Sequence, residues 1–110
     1  MAKLAYTTLL KDDPELQQQY RKHHANTWPE VVESFRKIGV TDLNIWLNGR
    51  RLFMVAEVAG DFNYAAGLGA YLALDPKCRE WEGIMDQFQE APADAPEGEK
   101  WVPLEHLFAL

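Results

Sequence analysis

The stretch Val40-Thr41-Asp42-Leu43-Asn44-Ile45-Trp46-Leu47-Asn48-Gly49-Arg50-Arg51-Leu52-Phe53-Met54-Val55-Ala56-Glu57-Val58 decides the fold. Apolar residues recur at every second position on both sides of its centre: Leu43, Ile45 and Leu47, then Leu52, Met54, Ala56 and Val58. A period of two marks a strand with one face turned to a core. Asn48-Gly49 between two such runs is the strongest short-range signal for a hairpin. The spacing therefore predicts antiparallel strands over 40–47 and 51–58. Asn44 and Trp46 fall on the alternate face of the first, Phe53 and Val55 on that of the second.

Upstream, Lys3 to Leu10 alternates in the same way, with Leu4, Tyr6, Thr8 and Leu10 on one face. Asp13-Pro14-Glu15 then carries a helix start, an N-cap carboxylate followed by proline in the first turn. That helix runs through Leu16, Tyr20 and His24 and bends near Asn26-Thr27. Trp28-Pro29 restarts it, Val31, Val32, Phe35 and Ile38 recur at helical spacing, and Gly39 suits the position past the end. Downstream, Tyr64 to Leu74 is a weaker helical stretch loosened by Gly67 and Gly69. Asp75-Pro76 repeats the cap-plus-proline start for a helix through Cys78, Trp81, Ile84, Met85 and Phe88. Residues 91–98, with Pro92 and Pro96, read as a loop, and Trp101 to Phe108 as a last strand. The order predicts an α+β fold of the ferredoxin-like βαββαβ type, a four-stranded antiparallel sheet with helices on one face. The other face would carry Ala5, Leu9, Trp46, Phe53 and Val55. An apolar second face predicts a homodimer whose sheets pack into a barrel-like core.

One domain over residues 1–110 is what this length supports. With 47% hydrophobic and 25% charged residues the composition is globular. A net charge of −6, with basic residues scattered in pairs, argues against nucleic acid as a partner. No apolar run approaches the roughly 20 residues of a membrane span. The first residues lack the apolar core of a secretory signal, and one cysteine, Cys78, forms no internal disulfide. A cytosolic location is expected.

Chemistry concentrates in Tyr20-Arg21-Lys22-His23-His24-Ala25-Asn26-Thr27-Trp28-Pro29-Glu30. Tyr20 and His24 are four apart and share a helical face, while His23 is rotated by about 100° and expected to lean toward solvent. A histidine beside a phenol offers a group that titrates near neutrality and a second donor or acceptor. On spacing alone the pair reads first as a polar edge of the core, satisfied by backbone groups. Trp28, Trp46, Trp81 and Trp101 each read as core or as ligand platform. No metal-ligand spacing joins His23, His24, Cys78 and His106, and no phosphate loop or dinucleotide fingerprint occurs.

Tyr20, His24 and Trp28-Pro29-Glu30 at these spacings resemble the signature of the L-rhamnose mutarotase family. The resemblance extends through Asn44-Ile45-Trp46-Leu47, Leu52-Phe53-Met54, Asp75-Pro76, Cys78, Trp81 and the ending Glu105 to Phe108. It implies a dimeric α/β barrel, no cofactor or metal, and a monosaccharide substrate. It implies His24 as the general acid/base and Tyr20 as the pocket tyrosine, expected to orient the sugar or to supply the complementary proton. Trp81 falls on the family's pocket tryptophan. Rhamnose-type members carry a second tryptophan next, where this chain has Glu82, and the ending around Pro96 to Pro103 looks closer to the L-fucose branch. Asn44 is a candidate for a sugar hydroxyl, and Trp46, Trp81 and Trp101 for a wall against the C6 methyl of a 6-deoxy sugar. Two other functions suit the same fold: a non-catalytic ligand-binding barrel and a cofactor-free monooxygenase.

Overall fold

A computed structural model describes residues 2–62 and 64–110, without the side chains of residues 64–66. In chain order the elements are β1 (Ala2–Leu10), α1 (Pro14–Ala25), α2 (Pro29–Lys37), β2 (Val40–Asn48), β3 (Arg51–Val58), α3 (Tyr64–Leu74), α4 (Pro76–Phe88), β4 (Gln89–Glu90) and β5 (Val102–Pro103). The sheet runs β2-β3-β1-β4, every pairing is antiparallel, and β5 also pairs with β1. This is the α+β arrangement read from the alternation, with an open sheet.

The hairpin forms where expected, but its turn is centred one residue later. Asn48 pairs with Arg51, which leaves Gly49 and Arg50 as the two loop residues. Gly49 has φ of 63°, and among the described residues no non-glycine residue has positive φ. Glycine alone in the left-handed region at the first loop position is the mark of a type II′ turn, which suits the strand twist as well as type I′ does. Arg50 then locks the hairpin to its neighbours: Nε donates to the Leu10 carbonyl at 3.0 Å, and Nη2 meets Glu90 Oε2 at 2.7 Å.

The last strand is a correction. Over residues 101–108 only Val102–Pro103 is paired in the sheet, opposite Thr7 and Tyr6, with one further bond from Leu104 N–H to the Ala5 carbonyl at 2.8 Å. Pro103 has no N–H for the ladder, and the chain leaves the sheet after Leu104. The rest of the fourth-strand position is filled by Gln89 and Glu90, paired with Leu10 and Leu9.

Both capped helix starts are present. The Asp13 carboxylate accepts from the N–H groups of Glu15 and Leu16, and that of Asp75 from Lys77. The weak stretch at 64–74 is helical. Its Gly67 answers a close approach, since a Cβ there would stand 2.7 Å from the Phe62 ring. The core lies between helices and sheet: Leu10 and Leu52 from the strands meet Tyr20, Val31, Tyr71, Cys78, Trp81, Met85 and Phe88. Phe35 stacks on Tyr71 at 4.3 Å between centroids.

Candidate active site

Helix α1 places Tyr20 and His24 one turn apart on the face that meets α4. His24 Nδ1 lies 3.0 Å from the Tyr20 carbonyl oxygen. A carbonyl only accepts, so Nδ1 carries the proton of the neutral ring and Nε2 is left with a lone pair. The His24 ring sits 4.2 Å from the Tyr20 ring and 5.6 Å from Trp81, and the Trp28 ring stands 5.2 Å from Trp81. Burial lowers the His24 pKa from its usual value, the Tyr20 carbonyl raises it in part, and the neighbouring His23 lowers it again. The imidazole is therefore neutral at neutral pH, the state of a base.

Tyr20 is buried at 4% exposure. Burial pushes its phenol up to about 12, the Gln89 amide pulls it back in part by a hydrogen bond, and the Glu82 charge raises it. The phenol therefore keeps its proton at neutral pH. A neutral imidazole beside a protonated phenol is a base next to a proton donor.

These groups line an open cleft of about 650 Å³ between the helices and the inner face of β2 and β3. That volume is in the range of small-molecule sites. Trp81, Trp101, Glu82 and Gln89 share its wall with Tyr20 and His24. Lys100 carries an ion pair to Asp86 and lies 3.9 Å from Glu82, one helical turn away on α4. Burial lowers the Lys100 pKa and Glu82 raises it. This pairing draws the segment before Trp101 against α4, and the Lys100 carbonyl is held by the Thr8 hydroxyl at 2.7 Å.

Four of the expected site residues, Tyr20, His24, Trp81 and Trp101, are thus brought together. Asn44 and Trp46 border the cleft on the edge strand β2, but alternation turns Leu43, Ile45 and Leu47 inward and these two outward. Trp46 is 56% exposed, and the Asn44 amide donates to Asp42 Oδ2 at 3.0 Å. His23 departs from expectation. It is half-buried, with its ring 5.4 Å from Phe88 and 6.0 Å from Trp81. A rotation of about 100° carries it to the flank of α1 that α4 covers, not to the solvent side. Gln89 was invisible in the sequence, a polar residue between Phe88 and Glu90 at a helix–strand junction with no motif around it. It is buried, and its Oε1 has no hydrogen-bond partner among the described residues.

Residues 3–110 match the L-rhamnose mutarotase family. A protein of Xanthomonas campestris named L-fucose mutarotase is 42% identical, covering 100% of this chain and 89% of that protein. A UPF0734 protein of Dictyostelium discoideum is 38% identical over 92% of this chain and 83% of its own length. An L-rhamnose mutarotase of Burkholderia ambifaria is 30% identical, over 100% and 99% of the two chains. The crystal structure of an L-rhamnose mutarotase from Formosa agariphila shares the fold, with a TM-score of 0.72 at 24% identity over 100% of this chain and 99% of that one. On the match along nearly its whole length, and on these relatives, the chain belongs to the L-rhamnose mutarotase family.

Proposed function

We propose that this mutarotase interconverts the α and β anomers of a 6-deoxy-L-hexose pyranose, L-fucose or L-rhamnose, by acid/base ring opening. The observation that carries the reading is the His24–Tyr20 pair, a neutral imidazole with a free Nε2 lone pair beside a phenol that keeps its proton. His24 Nε2 takes the proton of the anomeric hydroxyl. The C1–O1 bond becomes a carbonyl as the bond from C1 to the ring oxygen breaks, and the ring oxygen leaves with a proton from Tyr20. Rotation about C1–C2 presents the other carbonyl face, and the same steps in reverse close the ring as the opposite anomer. Each group ends in its starting state, so no external acid, base or cofactor enters the balance. Trp81 and Trp101 supply apolar surface for the C–H face of the sugar. The two names borne by the relatives, L-fucose and L-rhamnose mutarotase, supply the two candidate substrates, and the greater identity is to the former. NMR saturation transfer between the anomeric protons of each sugar tests the reading. Protein-dependent exchange is expected for at least one, and no acceleration for either would defeat it.

A homodimer in the cytosol is part of the same proposal. Trp46 and Phe53 are cross-strand partners on the outer sheet face, 56% and 37% exposed, and Leu107 and Phe108 of the tail are more exposed still. Large apolar side chains gathered on one sheet face favour a second copy of the chain over water. Sedimentation velocity should report a dimer, and Trp46→Glu with Phe53→Glu should shift it to monomer while far-UV circular dichroism stays native. A monomeric wild-type protein at tens of micromolar would remove the dimer from the proposal.

A further inference from the structure

Gln89 Oε1, which has no hydrogen-bond partner among the described residues, belongs to a residue in the wall of the cleft. The backbone of Gln89 is held on both sides: its N–H donates to the Met85 carbonyl as α4 ends, and it pairs with Leu10 as β4 begins. Side chains alternate along a strand. Glu90 turns outward to meet Arg50 at 2.7 Å, and Gln89 turns inward, to 6% exposure. There its amide makes a hydrogen bond to Tyr20 that pulls the phenol's pKa down. A bond that favours the phenolate comes from a donor, so it is the amide N–H that faces the phenol oxygen. The amide carbonyl is left unpaired at a buried position, which costs free energy. An apolar side chain of similar length would fill the same space without that cost, so packing alone does not account for a glutamine here.

We infer that Gln89 is a positioning residue for the proton of Tyr20: its amide N–H occupies one side of the phenol oxygen and leaves the O–H to point at the departing ring oxygen of the sugar. The inference rests on the reading of Tyr20 as the donor of that proton. A phenol O–H lies close to the plane of its ring and has two directions open to it. A donor on one side turns the proton to the other. Reversed end for end, the amide would accept the phenol proton through Oε1 and hold it away from the reaction. The unpaired carbonyl is what keeping that proton free entails.

Three variants test this by anomer exchange of L-fucose or L-rhamnose, whichever the wild-type protein accelerates, over a range of concentration and pH. Gln89→Met keeps the length of the side chain and removes the amide. It should lower kcat by roughly tenfold with KM little changed, short of the roughly 10²-fold expected of Tyr20→Phe. Combined with Tyr20→Phe, the Gln89→Met loss should vanish, because a residue that acts through the phenol has nothing left to position. Gln89→Glu supplies a switchable donor. The introduced carboxyl donates to the phenol while protonated and accepts the phenol proton once ionised, so kcat should fall as pH rises through its titration. The ionisable groups lining the cleft besides Tyr20, namely Arg21, His24, Arg36, Asp42 and Glu82, are common to both proteins, so that falling limb belongs to the substitution. A thermal melt checks the fold of each variant, and Gln89→Glu decides the matter if Gln89→Met does not fold. Wild-type kcat in folded Gln89→Met, a loss that persists in the Tyr20→Phe background, or a Gln89→Glu profile that follows wild type would overturn the positioning role and leave the mutarotase in place. Wild-type kcat in Tyr20→Phe would overturn the reading of Tyr20 and the inference with it.

Discussion

Replacing His24 with asparagine should slow anomer exchange by roughly 10²- to 10⁴-fold, the usual contribution of a positioned acid/base group. Asparagine is the informative choice because its side-chain N–H can still donate to the Tyr20 carbonyl, the bond that His24 Nδ1 makes at 3.0 Å. The variant therefore keeps the local tether and loses only the Nε2 lone pair. Sugar binding, followed by tryptophan fluorescence, should survive, because Trp81 lies 5.6 Å from the ring being replaced and Trp101 lines the same cleft. His24→Asn with wild-type exchange would remove His24 from the chemistry.

The same group sets the acid limb of the pH profile. A histidine whose pKa is lowered by burial gives up its proton at a lower pH than the usual 6.5. In the free enzyme, kcat/KM should rise with pH to a midpoint below 6.5 and then stay level through neutrality. His24→Asn should abolish that limb. Linkage runs in the same direction. The unfolded chain takes up this proton near pH 6.5 and the folded chain only lower, so the fold loses stability as pH falls through that interval and holds it above. A midpoint above 6.5 would contradict the neutral, buried imidazole.

What the sequence could show depended on how local each signal was. The strands were legible because a period of two over 40–47 and 51–58 reports directly which face is buried. The Tyr20–His24 pair was legible because residues four apart on a helix must be neighbours. The turn centre at Gly49-Arg50 was less so, since glycine serves at either loop position and only the register separates the two turn types. The C-terminal strand misled because Trp101 to Phe108 has the composition of a strand, whereas Pro103 and the competing pair Gln89–Glu90 determine what β1 can accept. Gln89 was out of reach. Its place beside Tyr20 arises where α1 and the α4–β4 junction meet in three dimensions, and no spacing in one segment announces it.

Replacing Tyr20 with phenylalanine should lower kcat by roughly 10²-fold while KM moves little. The basis is the state of the phenol. Its pKa is pushed up to about 12, chiefly by burial, so the proton is present throughout the working range. A raised pKa does not disqualify Tyr20 as the donor, because the departing ring oxygen is an alkoxide and a far stronger base than a phenolate. Proton transfer happens only as the bond to C1 breaks, so the interaction belongs to the transition state, and its loss appears in kcat rather than in substrate binding. Phenylalanine preserves the ring contacts, 4.2 Å to His24 and 6.1 Å edge-on to Phe88, so packing is not what the variant removes. Steady-state exchange measured over a range of sugar concentrations separates the two roles open to Tyr20. A fall in kcat at constant KM assigns it the ring-oxygen proton. A rise in KM at constant kcat reduces it to a hydroxyl that orients the sugar, and His24 would then have to carry both protons through a water.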